Sequence, residues 1–187
     1  NNVIINYDNV APDWSGNESG IRIKSTWWNK LLSSVTFGRY KGSSLDVYAK
    51  ANDSQSGVAE YYYYIDNSGS TTTLTAEELS NKSFTKVAAD KNGTTKLTEI
   101  TSDNNYVIYA YAVDAAGNRS TYISSDGVVL DNTAPKLTNV NAPAKSNETL
   151  SDTSATITFT GSEAGTYYYI LKEDGKPAPT VMSDFAA

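Results

Sequence analysis

The sequence predicts an all-β fold: an antiparallel β-sandwich with one short crossover helix, followed by a partial second sandwich. Three observations predict it. Short segments alternate apolar and polar side chains and are separated by turn-forming residues. Strand formers are abundant, with 14 Tyr among 187 residues beside many Thr and Ser. Two sets of residues recur farther along the chain, as they do when one structural plan is used twice.

Composition sets the limits within which those segments fold. Hydrophobic residues make up 39% and charged residues 19%, enough apolar surface to bury a core. A net charge of −6 without any cluster of Lys or Arg repels phosphate backbones, so nucleic acid is not an expected partner. No apolar run approaches the roughly 20 residues of a membrane helix, so no membrane insertion is expected. The chain contains no Cys and no His, which excludes disulfides, thiol nucleophiles, imidazole bases and ordinary zinc sites. No cofactor, no metal and no enzymatic activity are expected. The chain opens on Asn1-Asn2-Val3, as expected if a leader was removed or if this is an excerpt of a longer protein.

The elements follow in order. In 44–51, Leu45, Val47, Ala49 and Ala51 face one way and Asp46, Tyr48 and Lys50 the other, which predicts a half-buried strand. Asn52 to Gly57 reads as a turn, and Val58 to Asp66 as the next strand. Pleating sends Tyr61 and Tyr63 to one face and Tyr62 and Tyr64 to the other. Leu74-Thr75-Ala76-Glu77-Glu78-Leu79 carries a capping box with Thr75 as N-cap and Glu78 at N3, predicting a helix of two turns at most. Segment 105–114 is apolar on both faces, as a central strand would be. Asp114-Ala115-Ala116-Gly117-Asn118 predicts a tight hairpin, with a returning strand from about Arg119 to Leu130.

The repeats set the organisation. Asp8-Asn9-Val10-Ala11-Pro12 matches Asp131-Asn132-Thr133-Ala134-Pro135 at an offset of 123 residues, each after an apolar β-like stretch. Tyr62-Tyr63-Tyr64-Ile65 matches Tyr167-Tyr168-Tyr169-Ile170, and Thr75 matches Thr180, both at an offset of 105. Residues 1–12 are then the last strand and linker of a preceding repeat, 13–135 a complete repeat, and 136–187 the N-terminal part of a second, shortened in the part equivalent to Trp27–Tyr40.

The ordered set Trp27-Trp28-Asn29-Lys30, Val35-Thr36-Phe37-Gly38, Ser56-Gly57-Val58, the Tyr strand, the capping-box helix, Tyr106-Val107-Ile108-Tyr109-Ala110, Asp114 to Asn118 and Asp131 to Pro135 resembles the tandem immunoglobulin-like repeats of large surface proteins in Gram-positive bacteria. The tail, with Ser154 to Phe159 and Glu163 to Tyr169, is similar to a related repeat type that often follows it. The resemblance implies an immunoglobulin/fibronectin-III-like sandwich used as a non-catalytic spacer or stalk. It would be extracellular, at the cell surface or secreted, with neighbouring repeats of the same chain as its partners. Some members of the family sit in adhesins, so the alternative is an adhesin-type or carbohydrate-binding module whose partner is a glycan or a host or cell-wall ligand.

Candidate sites are few. Trp14, Trp27, Trp28 and Tyr40 are the candidate ligand-binding residues, as a possible exposed ring platform for sugars. The competing reading packs at least one of Trp27 and Trp28 into the core and lets the rest cover domain junctions. Asp53, Asp114, Asn118 and Asp131 supply calcium-type oxygens, but no Asp-x-Asp-x-Asp run exists, and Asp114 and Asn118 are expected to satisfy their own hairpin. Glu60, Glu77, Glu78, Asp46 and Asp66 lack the cleft that a glycosidase pair needs, so no catalytic residue is named. A Lys–Asn crosslink of the kind carried by some such sandwiches would require a buried Lys.

Three structural expectations follow. Tyr106 should lock the preceding corner, with its hydroxyl on a backbone group in 100–104 and Ile100 buried. Leu45, Val47, Ala49, Val107 or Ile108, and the inward pair of Tyr61–Tyr64 should share one core. The tail should lack a self-contained core, and strand Val3–Tyr7 of a neighbouring molecule is a candidate to complete it.

Overall fold

Alternation of apolar and polar residues decides which strands pair and which faces they bury. The computed structural model describes residues 7–141, 156–170, 175 and 177. The chain divides into two units, Asn1–Asn132 and Thr133–Ala187. The first unit contains β1 (Gly20–Ile23), β2 (Thr26–Trp28), β3 (Gly38–Tyr40), β4 (Leu45–Lys50), β5 (Val58–Asp66), α1 (Ala76–Ser80), β6 (Thr85–Ala88), β7 (Thr94–Ile100), β8 (Asn104–Asp114), β9 (Ile123–Ser124) and β10 (Val128–Leu130). One sheet has the order β2-β1-β4-β7; the other runs β3-β10-β8-β5-β6, with β9 beside β8.

The two sheets face each other across one core. Ile21 and Ile23 of β1, Val47 and Ala49 of β4, and Ile100 of β7 meet Tyr61 of β5, Ile108 and Ala110 of β8, and Val128 of β10. The alternation in β4 is retained, with Leu45, Val47 and Ala49 buried and Asp46 exposed. Tyr61 is fully buried and Tyr63 packs against the same core, as the pleat requires. On β8 the inward residue is Ile108, whereas Val107 and Tyr109 point to the opposite face and bury there with Leu79 of α1 and Val35. A strand covered on both faces must be apolar on both, which is why 105–114 has no polar side.

The helix forms where its caps are. The Thr75 hydroxyl accepts the Glu78 N–H at 3.2 Å, and the Glu78 carboxylate accepts the Thr75 N–H at 2.7 Å. Leu74 and Leu79 join the second cluster beneath it, so the staple pair buries as well as caps. The Tyr106 hydroxyl donates to the Ser102 carbonyl at 2.9 Å and Ile100 is buried, so the corner before β8 is locked as expected.

The all-β sandwich is as expected, and one strand pair among the described residues departs from antiparallel: β3 lies parallel to β10, pairing Gly38 with Val128 and Tyr40 with Leu130. One expectation is corrected. The returning strand is not continuous over 119–130. It touches β8 at a bridge between Val113 and Arg119, then as β9, and then as β10. Serine hydroxyls replace part of the backbone ladder: Ser120 Oγ accepts the Ala112 N–H at 2.8 Å and Ser125 Oγ accepts the Ile108 N–H at 3.0 Å. Gly127, at φ +84°, then turns the chain into β10.

In the second unit β11 (Leu137–Asn141) pairs antiparallel with β12 (Thr158–Gly161). Phe159 stacks on Tyr167 at 5.8 Å. Among the described residues of this unit none is buried, and Leu137 and Tyr168 are more than half exposed. The helix start at Thr180, residues 171–172 of the tail's Tyr strand, and residues 3–6 of the strand offered as its complement lie outside the described residues.

Candidate functional site

The four candidate aromatic residues occupy separate environments. Trp14 follows Asp13, whose backbone is bridged to Asn52 by two hydrogen bonds of 2.9 Å. That bridge drives the indole inward until it is 5% exposed, with its N–H on the Thr121 carbonyl at 2.8 Å and its ring against Tyr61. Pleating in β2 splits Trp27 from Trp28, and Trp28 packs on the core. On β1 and its neighbours, Arg22 pairs across strands with both Trp27 and Tyr48, and its guanidinium lies 5.1 and 4.9 Å from their ring centres. Tyr40 also packs on the core, with the Lys24 ammonium 5.3 Å from its ring. No two of these four rings stack, so they do not form one platform.

Of the four calcium-type residues, the structure brings three together. The Asp114 carboxylate accepts the Asn118 backbone N–H and its side-chain amide, both at 2.8 Å, so the hairpin is closed by its own first and last residues. Asp53 Oδ1 accepts three successive N–H groups, from Gln55, Ser56 and Gly57. Asp131 is elsewhere, 3.7 Å from Arg39. Its place is taken by Asp8, which the sequence reading did not single out. Carboxylate oxygens of Asp8, Asp53 and Asp114 lie within 4.8 Å of one another. Asp8 accepts the Ser56 N–H at 3.1 Å and its carbonyl accepts the Asn118 amide at 3.2 Å. The Ser56 and Val10 hydrogen bonds hold the Asp8 carboxyl below the ordinary carboxylate range. The signal was present: Asp8 is the same motif position as Asp131, one copy earlier. Three carboxylates are the residues that would hold a divalent cation, but calcium wants six to eight oxygens. Here backbone and amide N–H groups already compensate the charges.

Four of the five acidic residues weighed for hydrolysis have local structural partners, and the fifth, Glu77, lies in the first turn of α1. Glu60 pairs with Lys86 at 2.5 Å, Asp46 with Lys96 at 2.6 Å, and Asp66 accepts the Ser68 N–H. Glu78 caps α1. Every described lysine is at least partly exposed, so none meets the burial that a Lys–Asn crosslink needs.

A feature that sequence reasoning missed lies on the outer face of the larger sheet. Tyr62 and Tyr111, directly paired between β5 and β8, stack in parallel at 4.8 Å. Phe84 and Tyr122 pack onto Tyr111, with ring centres 5.2 and 5.6 Å from it. The Arg119 guanidinium rests on this group, 3.8 Å from the Tyr111 ring and 4.5 Å from Tyr122. Beside it opens a groove of about 960 Å³, with Trp14, Leu31 and Tyr122 among its apolar walls and Arg119, Lys30 and Thr121 among its polar ones. Its walls come from segments up to about a hundred residues apart, so no local pattern announces it.

No family model matches the chain, and no curated protein matches it.

Proposed function

We propose that the chain is a non-catalytic spacer: an immunoglobulin-like repeat of a large bacterial cell-surface or secreted protein, holding other modules apart. The observation that carries this reading is where the chain enters and leaves the first unit. Asp8 is tied to Ser56 and Asn118, at the Asp114 end of β8. Asn132 is tied to Asp103 through its N–H at 3.0 Å and its amide at 2.8 Å, at the Asn104 end. An 11-residue strand separates those ends by about 35 Å. A domain whose chain enters at one pole and leaves at the other adds length with each copy, which is what a stalk requires.

The strand order supports the immunoglobulin-like reading. A sheet β1-β4-β7 facing β10-β8-β5, with Tyr106 locking the corner before β8, follows the order such sandwiches use. The recurrence of the boundary peptide at 131–135 supports a tandem array.

Single-molecule pulling on the whole chain tests the spacer reading. One cooperative event is expected for the first unit, with a contour-length gain of about 400 Å for residues 8–132. Gradual extension without a rupture event would refute a spacer that carries tension.

A further inference from the structure

We infer that the groove beside Arg119 binds an oligosaccharide bearing carboxylate groups, with Arg119 reading the carboxylate. This goes beyond the spacer reading and does not depend on it. Arg39, Lys50, Lys86 and Lys96 each have a carboxylate within 4 Å. Arg119 has neither an ion pair nor a side-chain hydrogen bond among the described residues, in a chain with 21 acidic residues against 15 basic ones. It is nevertheless fixed. The guanidinium lies against two rings whose planes stand 85° apart, and those rings are held by Tyr62 and Phe84. Arg119 is exposed, so the N–H groups of its fork that point away from the two rings are open to take a carboxylate in two hydrogen bonds.

The groove complements an anion. Arg119 and Lys30 line it, and the one lining carboxylate, Asp13, is turned into its own loop, where it accepts the Ser15 N–H at 2.7 Å and the Ser15 hydroxyl at 2.5 Å. The remaining polar lining residues include Thr121, Asn29 and Ser80, whose hydroxyl donates to the Glu77 carbonyl at 2.6 Å, beside apolar Leu31. The observations favour a sugar over an acidic peptide. A peptide captured by strand addition needs unused backbone groups at a strand edge. Here the Ser120 N–H is spent on Ala112, and the Thr121 carbonyl on the Trp14 indole and the Ser120 hydroxyl. Hydroxyl and amide side chains around a fixed guanidinium suit a ring bearing hydroxyls and one carboxylate. The volume is in the range of ligand clefts.

Calorimetric titration of the whole chain with tri-galacturonate, its methyl ester and tri-glutamate tests this. Tri-galacturonate should bind, and the ester and the peptide should bind at least about tenfold more weakly. R119A and R119K should each lose about tenfold, because an ammonium keeps the charge but not the fork. R39A should bind as wild type, and thermal melts of each variant show whether the fold is retained. Should R119A unfold, the comparison of acid with ester and the R119K titration decide. Binding of the ester as tight as the acid, full binding by R119A or R119K, preference for tri-glutamate, or no uronate binding would each overturn the inference. None of these results touches the pulling experiment.

Discussion

At the scale of single residues, buried polar groups do work that composition conceals. The Tyr61 hydroxyl donates to the Gly93 carbonyl and accepts the Ala51 N–H at 2.7 Å, so one phenol on β5 clasps the end of β4 and the turn before β7. Burial pushes that phenol well above its ordinary value, and it stays a neutral donor at any ordinary pH. Tyr61→Phe leaves a backbone donor and acceptor without their partner and should cost about 1–3 kcal/mol, measured by urea unfolding. The sequence placed Tyr61 on the inward face, because the pleat is local. It could not reveal that Trp14 is buried, because that depends on a carbonyl 107 residues away. Asp8 was overlooked for a related reason. Its motif was visible, but which copy of the motif docks on the Asp114 hairpin is decided by the fold.

At the scale of elements, legibility followed period and length. β4, β5, β8 and α1 were readable because each is long enough to alternate or carries a cap. β1, β2 and β3, of three or four residues each, are too short for a period to show. Gly20 there has φ +123°, and a Cβ would sit 1.4 Å from the Trp28 carbonyl oxygen, so β1 begins where only glycine fits against β2. Val47 lies fully buried in β4 between β1 and β7. Val47→Ala should cost on the order of 1–3 kcal/mol in a thermal melt, and an unchanged melt would contradict its place in the core. The returning strand was over-extended because its serines look like the solvent face of a strand. They face β8 instead. Ser125→Ala removes the acceptor of the buried Ile108 N–H and should cost about 1–3 kcal/mol, whereas Ser125→Thr keeps an acceptor and should cost less.

At the scale of the whole molecule, charge sets the response to pH. Among the described residues six carboxyls lie below their ordinary values, held chiefly by Ser56 for Asp8, Lys50 for Glu18, Lys96 for Asp46, Lys86 for Glu60, the Thr75 backbone for Glu78 and Ser44 for Glu99. A folded-state value below the unfolded one gives stability that is present above the unfolded value, near pH 4, and lost as pH falls through the folded one. The chain has no His whose protonation would intervene at neutrality. The melting temperature should therefore be flat between about pH 6 and 8 and fall below about pH 4. A drop between pH 7 and 6 would show another titrating group at work. The polar separation of Asp8 and Asn132 has a mechanical consequence. Hydrogen bonds in a sheet lie across the strands, and β10 leaves the sheet along its own axis, between β3 and β8. Tension between the two poles therefore shears those ladders all at once instead of unzipping them bond by bond. Resistance to pulling is a property of the unfolding rate under load. A sandwich of quite ordinary thermal stability can thus be a strong link when pulled end to end.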